Sequence, residues 1–174
     1  MSDGIRLRRA TREDVPFLVR LATHEEVAPF LAAVSARDPE AFGAELEAAE
    51  AAPGERGRFV IEAETPGGPD PAGAVAFEIV NRRSRIAQLY GLMLDPAQRG
   101  RGLARAATRA FARHLFDELG FHRIELECYG FNERAIHHFE ACGFVREGVK
   151  RQAYRRGDEW VDGVLLGALP QEIS

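Results

Sequence analysis

The chain has 174 residues, enough for one domain with a substantial core rather than two. Its 45% hydrophobic and 29% charged content is ordinary for a soluble globular protein, and a formal charge of -4 with a pI near 5.8 argues against a general nucleic-acid binder. Two cysteines, Cys128 and Cys142, are too few for a disulfide framework and form no C-x-x-C pair. No apolar signal region follows Met1, and no run approaches the ~18 apolar residues of a membrane span, so no membrane partner and a reduced, cytoplasmic setting are expected.

Ile5 to Arg9 alternates apolar and charged residues and predicts a strand. Thr11-Arg12-Glu13-Asp14 resembles a capping pattern, and Val15, Leu18, Val19 and Ala22 follow at helical spacing, predicting a helix to about Glu25. Val27 to Val34 is a looser apolar piece interrupted by Pro29. Asp38-Pro39 opens another helix, to about Ala51, with aspartate as cap and proline at the first helical position. After the turn Pro53–Gly57, a strand is expected from Arg58 to Glu64. Thr65 to Gly73 holds three prolines and three glycines in nine residues and reads as a mobile loop. Ala74–Val80 and Ile86–Leu94 are the next strands of an antiparallel meander, with Gly91 marking a bulge or a close approach to the backbone.

Pro96 stops that strand because it has no amide to donate, and Arg99-Gly100-Arg101-Gly102 then leads into a helix from Gly102 to Leu119. Glycines at a helix entry let backbone N–H groups turn toward an anion, and the helix dipole with Arg99, Arg101 and Arg105 adds positive charge there. This stretch reads as a pyrophosphate cradle. It is not a dinucleotide fingerprint, because Arg105 stands where the third glycine of G-x-G-x-x-G belongs, and no Gly-Lys-Ser/Thr makes it a P-loop. Arg123–Cys128 is a further strand, parallel to Ile86–Leu94 because a helix connects them. Asn132 caps a short helix ended by Gly143, and Phe144–Tyr154 with Trp160–Leu169 forms a final hairpin. His138 and Cys142 sit four residues apart, but the helix end at Gly143-Phe144 accounts for them better than a metal does, so no metal is expected.

Arg99-Gly100-Arg101-Gly102-Leu103-Ala104 matches the (Q/R)-x-x-G-x-(G/A) signature, Asn132 to Phe144 matches an N-x-x-A/S-x-x-x-Y/F-x-x-x-G-F helix, and Glu147-Gly148 with Trp160-Val161-Asp162 follows in order. Together these resemble the GNAT N-acetyltransferase superfamily, in particular its ribosomal-protein and spermidine branch. The resemblance implies an α/β fold of the α+β type: a mixed, mostly antiparallel sheet of six to seven strands, one parallel pair splayed for CoA, and about four flanking helices. It divides a single domain into acceptor-side helices and first strands (1–72) and an acetyl-CoA-binding core (73–169). It implies acetyl-CoA as donor and a primary amine as acceptor, with a homodimer as a family-level expectation. The pantetheine arm would pair with the free edge of Leu92, Met93 and Leu94, and Asn132 would bond it. The pyrophosphate would meet Arg99, Gly100, Arg101, Gly102, Leu103, Ala104 and Arg105.

Relatives transfer the acetyl group directly, which requires loss of the ammonium proton, a donor for the oxyanion and an acid for the leaving sulfur. Many relatives have a tyrosine where this chain has Phe139, and some a serine where it has Ala135; neither residue here can donate a proton. Tyr154 is the preferred substitute acid, with Tyr90, Tyr129, His138 or water as alternatives, and Glu78 acting through water is the candidate base. Glu25, Glu26, Asp38, Glu40, Glu45, Glu47 and Glu50 would make the acceptor side acidic, suiting a peptide N-terminus, a polyamine or an aminoglycoside. The rival reading is a non-catalytic acyl-CoA-binding or sensing module.

Overall fold

Period-2 alternation sends seven segments of the chain into one mixed sheet. In the computed structural model, which describes residues 4–32 and 35–174, these are β1 (Ile5–Arg9), β2 (Arg56–Thr65), β3 (Gly68–Asn81), β4 (Ile86–Leu94), β5 (Arg123–Tyr129), β6 (Val145–Arg156) and β7 (Glu159–Ala168). They stand in the order β1-β2-β3-β4-β5-β7-β6, and every neighbouring pair is antiparallel except β4 and β5. The α-helices are α1 (Val15–Thr23), α2 (Pro39–Ala51), α3 (Leu103–Arg113) and α4 (Glu133–Ala141). The α+β class, the strand number, the single parallel pair and the four helices are as the sequence leads one to expect.

The sheet is covered on both faces. Phe59, Val75, Phe77, Leu89, Ile124 and Leu126 pack under α3 and α4 through Ala107, Phe111, Ile136 and Phe139, and under Leu115 just beyond α3. On the opposite face Ala74 and Met93 pack under α1 and α2 through Leu18, Leu21, Ala22 and Phe42. β3 and β4 therefore present residues to two different helix layers.

The parallel pair is short. Only Ile86, Ala87 and Gln88 pair with β5, opposite Arg123, Ile124 and Glu125. Beyond that point β4 keeps β3 as far as Leu94, and β5 keeps β7 as far as Tyr129, so their facing edges part. The divergence coincides with a bulge: Ala76 opposes Tyr90 while Ala74 opposes Met93, so Val75 faces both Gly91 and Leu92. Gly91 takes φ 59, which only glycine adopts without strain, and so marks the bulge expected there.

Two expectations are corrected. Thr65 to Gly73 is not a mobile loop: β2 and β3 pair out to Thr65 and Gly68, and the Thr65 hydroxyl donates to the Gly68 carbonyl at 2.6 Å. Pro69 and Pro71 are tolerated because this end of β3 runs past Leu94, the last residue of β4, and needs amides on one side only. The predicted helix to Leu119 also changes character after Arg113, becoming a wider turn over His114–Glu118 in which the Leu119 amide donates to the His114 carbonyl. Within Val27 to Val34 the structure has a single 3-10 turn, Ala28–Phe30, and residues 33 and 34 lie outside the described residues.

Candidate active site

A cleft of about 690 Å³ opens where β4 and β5 part, and its walls run from Gln88 to Leu94 on one side and from Leu126 to Tyr129 on the other. The Gly-rich turn closes one end. Asp95 caps a single turn, Pro96–Gln98, and the chain then passes through Gly100 (φ 79) and Gly102 (φ 74), both left-handed. A Cβ added at either glycine would meet nothing within 4 Å, so the turn faces open space. Ala106 is the first amide of α3 with an acceptor, the Gly102 carbonyl at 3.1 Å, while the Arg99 amide is used within the turn by the Pro96 carbonyl. The amides of Leu103, Ala104 and Arg105 are those that a helix start leaves without internal acceptors. All three residues stand at the glycine-turn end of the cleft.

Of the charges expected here, Arg105 lines the cleft and is held by its Nη2 donating to the Ala141 carbonyl at 3.0 Å, while Arg99 lines it and is paired with Glu26. Arg101 does not line the cleft; it is exposed and bonded to Gln98. Leu92, Met93 and Leu94 present the unpaired side of β4 to the cleft. Asn132 also lines it, and its Oδ1 accepts the Ala135 amide at 3.2 Å as a helix cap, so the residue serves the fold as well as the cavity. His138 lines the same wall, bonded through Nε2 to buried Thr108 at 2.9 Å, and burial with the nearby Arg105 charge lowers its pKa. The Cys142 thiol lies 3.9 Å from the same nitrogen in the core. Cys128 is buried, and desolvation pushes its thiol up to about 12, which removes it as a nucleophile.

The opposite end of the cleft is polar. Tyr154 lines it and donates its hydroxyl to Glu127 Oε1 at 2.5 Å, while Lys150 donates to Glu127 Oε2 at 2.7 Å. The bond to the Glu127 carboxylate, then burial, raise the Tyr154 pKa. Tyr154 points inward because β6 slips: Lys150 opposes Gly163 but Tyr154 opposes Val161, and Gln152, at φ 50, donates its amide to Asp162 at 2.7 Å. Tyr90 lines the cleft beside the Arg58–Glu45 ion pair, its pKa raised mainly by burial and then by the Glu45 charge. Glu78 lies outside the lining; it pairs in register with Gln88, which is part of it, and its charge reaches Tyr90. Phe139 is buried against the cleft and Ala135 lines it.

Sequence reasoning missed Glu127. The signal was present, since Arg123-Ile124-Glu125-Leu126-Glu127-Cys128 alternates and the core claims Ile124, Leu126 and Cys128, leaving Glu127 for the other face. The acceptor-side acidity is also altered, because Glu26, Glu45 and Glu47 are paired with Arg99, Arg58 and Arg12.

With this geometry in hand, likeness to known proteins is informative. Residues 5–145 match the family model described as an acetyltransferase (GNAT) domain. A probable N-acetyltransferase, YjcK, of Bacillus subtilis is 30% identical over 97 residues, 56% of this chain and 54% of that protein. A spermidine N(1)-acetyltransferase of Vibrio cholerae is 33% identical over 76 residues, 44% of this chain and 43% of that one. The chain thus spans about half the length of the curated relatives it matches. The crystal structure of spermidine N-acetyltransferase from Vibrio cholerae in complex with CoA and spermine superposes with a TM-score of 0.82 at 22% identity, covering 97% of each chain, and shares the fold. The match over most of its length places the chain in the GNAT acetyltransferase family.

Proposed function

We propose that this protein is an acetyl-CoA-dependent N-acetyltransferase that moves an acetyl group to a primary amine by direct attack in a ternary complex. One observation carries the reading: an amide-rich glycine turn opens onto the cleft where the parallel strands β4 and β5 part. The turn suits the diphosphate of CoA, through the free amides of Leu103 to Arg105 with Arg99 and Arg105 as counter-charges. The unpaired edge of Leu92, Met93 and Leu94 suits the amide-bearing pantetheine arm as an added strand, with Asn132 beside it. A backbone amide near Met93 or Leu94 then serves the thioester oxygen as negative charge develops on it.

The amine approaches the polar end of the cleft, where Glu127 and Tyr154 meet. Glu127 takes the proton that the ammonium must lose, in preference to Glu78, because Glu127 lines the cleft. As nitrogen bonds to the acetyl carbon, the carbon–sulfur bond breaks and its electron pair leaves on sulfur. Tyr154 donates its proton to that sulfur and recovers one from Glu127 across their shared hydrogen bond. The nitrogen sheds its second proton to water as the amide forms, so of the two protons the ammonium loses one ends on the thiol and one in solution.

A second reading, an acyl-CoA sensor, draws on Phe139 and Ala135. Free-thiol release measured with acetyl-CoA and a panel of peptides, polyamines, aminoglycosides and amino acids separates the two. Amine-dependent release, with an acetylated product of matching mass, supports the transferase. Saturable CoA binding with no release above the amine-free rate overturns it in favour of the sensor.

A further inference from the structure

Lysine occurs once in this chain, at Lys150, among 23 lysine and arginine residues. Its ammonium donates to Glu127 Oε2 at 2.7 Å, and the Tyr154 hydroxyl donates to Oε1 of the same carboxylate at 2.5 Å. Glu127 and Tyr154 line the cleft, and Lys150 reaches Glu127 from β6. These side chains meet across β7 because Gly163 has none. Lys150 opposes Gly163, and a Cβ built there would run into Glu127 Oε1 and the Tyr154 ring.

A fixed ion pair does not need a lysine. Arginine grips a carboxylate with a planar fork and keeps its proton, and the chain uses it at every other lysine-or-arginine position. An ammonium on a flexible stem can give up a proton and take an acyl group. The Lys150 side chain is 50% exposed, so its ammonium can turn without unpacking the core. Any amine whose proton Glu127 takes must stand within hydrogen-bond reach of that carboxylate. Lys150 stands there already.

We infer that Lys150 is a self-acetylation site: its amine occupies the acceptor place beside Glu127 and takes the acetyl group of acetyl-CoA when no other amine displaces it. This rests on the transferase reading above. Glu127 accepts one proton from the ammonium, and Nζ then bonds to the acetyl carbon. The carbon–sulfur bond breaks with its electron pair on sulfur, and Tyr154 protonates the sulfur and recovers a proton from Glu127. The second Nζ proton goes to water. Acetylation removes the lysine charge, so Glu127 loses its cationic partner.

The test incubates the wild-type protein with acetyl-CoA and no added amine, and follows intact mass and the peptide that contains Lys150. Expected is a gain of one acetyl group on Lys150, at a rate that saturates with acetyl-CoA and does not depend on protein concentration. Glu127→Gln should slow it by about a hundred-fold, the loss of a general base. Unassisted chemical acetylation has the opposite sign: Glu127 raises the Lys150 pKa, so removing it frees the amine and speeds that reaction. A rate unchanged or faster in Glu127→Gln overturns the inference. Should Glu127→Gln not fold, a wild-type rate that rises linearly with acetyl-CoA overturns it, and saturation supports it. Transfer to added amines with Lys150 left unmodified overturns it and leaves the transferase standing. Absence of transfer to Lys150 and to every added amine removes both.

Discussion

Tyr154 reaches the cleft because β6 breaks register two residues earlier, at a non-glycine residue, Gln152, held left-handed by its bond to Asp162. This placement decides whether the chain has an acid in place of the tyrosine that Phe139 does not supply. The acceptor of its proton is the Glu127 carboxylate, and that bond, with burial, keeps the phenol protonated above its ordinary range. The sign follows directly: a raised phenol pKa preserves the acid form as pH rises through the usual tyrosine value of roughly 10. The expected result is a kcat that does not fall between about pH 8 and pH 10, and a Tyr154→Phe variant with kcat lower by about a hundred-fold while the KM for acetyl-CoA changes little. A Tyr154→Phe enzyme with wild-type kcat across that range removes the tyrosine from catalysis. At this scale the sequence was partly legible. Arg99, Gly100, Gly102, Arg105, Asn132 and Tyr154 all line one cavity, because short motifs fix local backbone, while Arg101 does not. Glu127 was not assigned to this chemistry: the alternation of Arg123–Cys128 gives its face, but only the adjacency of strands sets it against Tyr154.

Among the elements, those with strong local signals were the most readable. Pro96 ends β4, Asp38 accepts the Ala41 amide at 2.8 Å as the α2 cap, and the apolar spacing of α3 meets the core at Leu103, Ala107 and Phe111. The β2–β3 hairpin was misread because proline and glycine signal turns only where both strand edges need amides. The joint between β1 and α1 is another element-scale device. Arg8 on β1 donates to both oxygens of Asp14 at 2.8 Å and to Glu62 on β2 at 2.6 Å, while the Thr11 amide donates to Asp14 at 2.7 Å. Asp14 is 8% exposed, and the Arg8 hydrogen bond holds its pKa below the usual carboxylate range. A depressed folded pKa contributes stability that is fully present above the unfolded value near 4 and is lost as pH falls through the lower, folded value. Asp14→Asn should therefore cost about 1.5–3 kcal/mol at neutral pH by urea unfolding, with the gap to wild type narrowing below about pH 4. A gap that is constant across the acid range would place the stabilisation in packing rather than in the ion pair.

For the whole molecule, the main break in the sheet is the line where β4 and β5 diverge. One layer of α1 and α2 with β1 to β4, and another of β5 to β7, meet there through three paired residues, with α3 and α4 spanning the gap on one face. A ligand lying in that gap binds the folded chain and not the unfolded one, so it must stabilise the fold by mass action. At a CoA concentration about a hundred times its Kd the gain is ~2.7 kcal/mol. The place of that gain distinguishes a strand-like arm from binding elsewhere on the surface. Amide exchange should slow in β4 beyond Gln88, whose edge away from β3 has no strand partner, and in residues 100–105, and change little in β1 and β2, which lie away from the gap. Arg105→Glu places negative charge at the start of α3 against both the helix dipole and the diphosphate, and should weaken CoA binding at low salt by ten-fold or so, with the effect shrinking as salt screens it. Protection that appears instead on β6, or a CoA affinity unmoved by Arg105→Glu, would mean that the nucleotide does not sit at the glycine turn, and the assignment of the cleft would have to be abandoned.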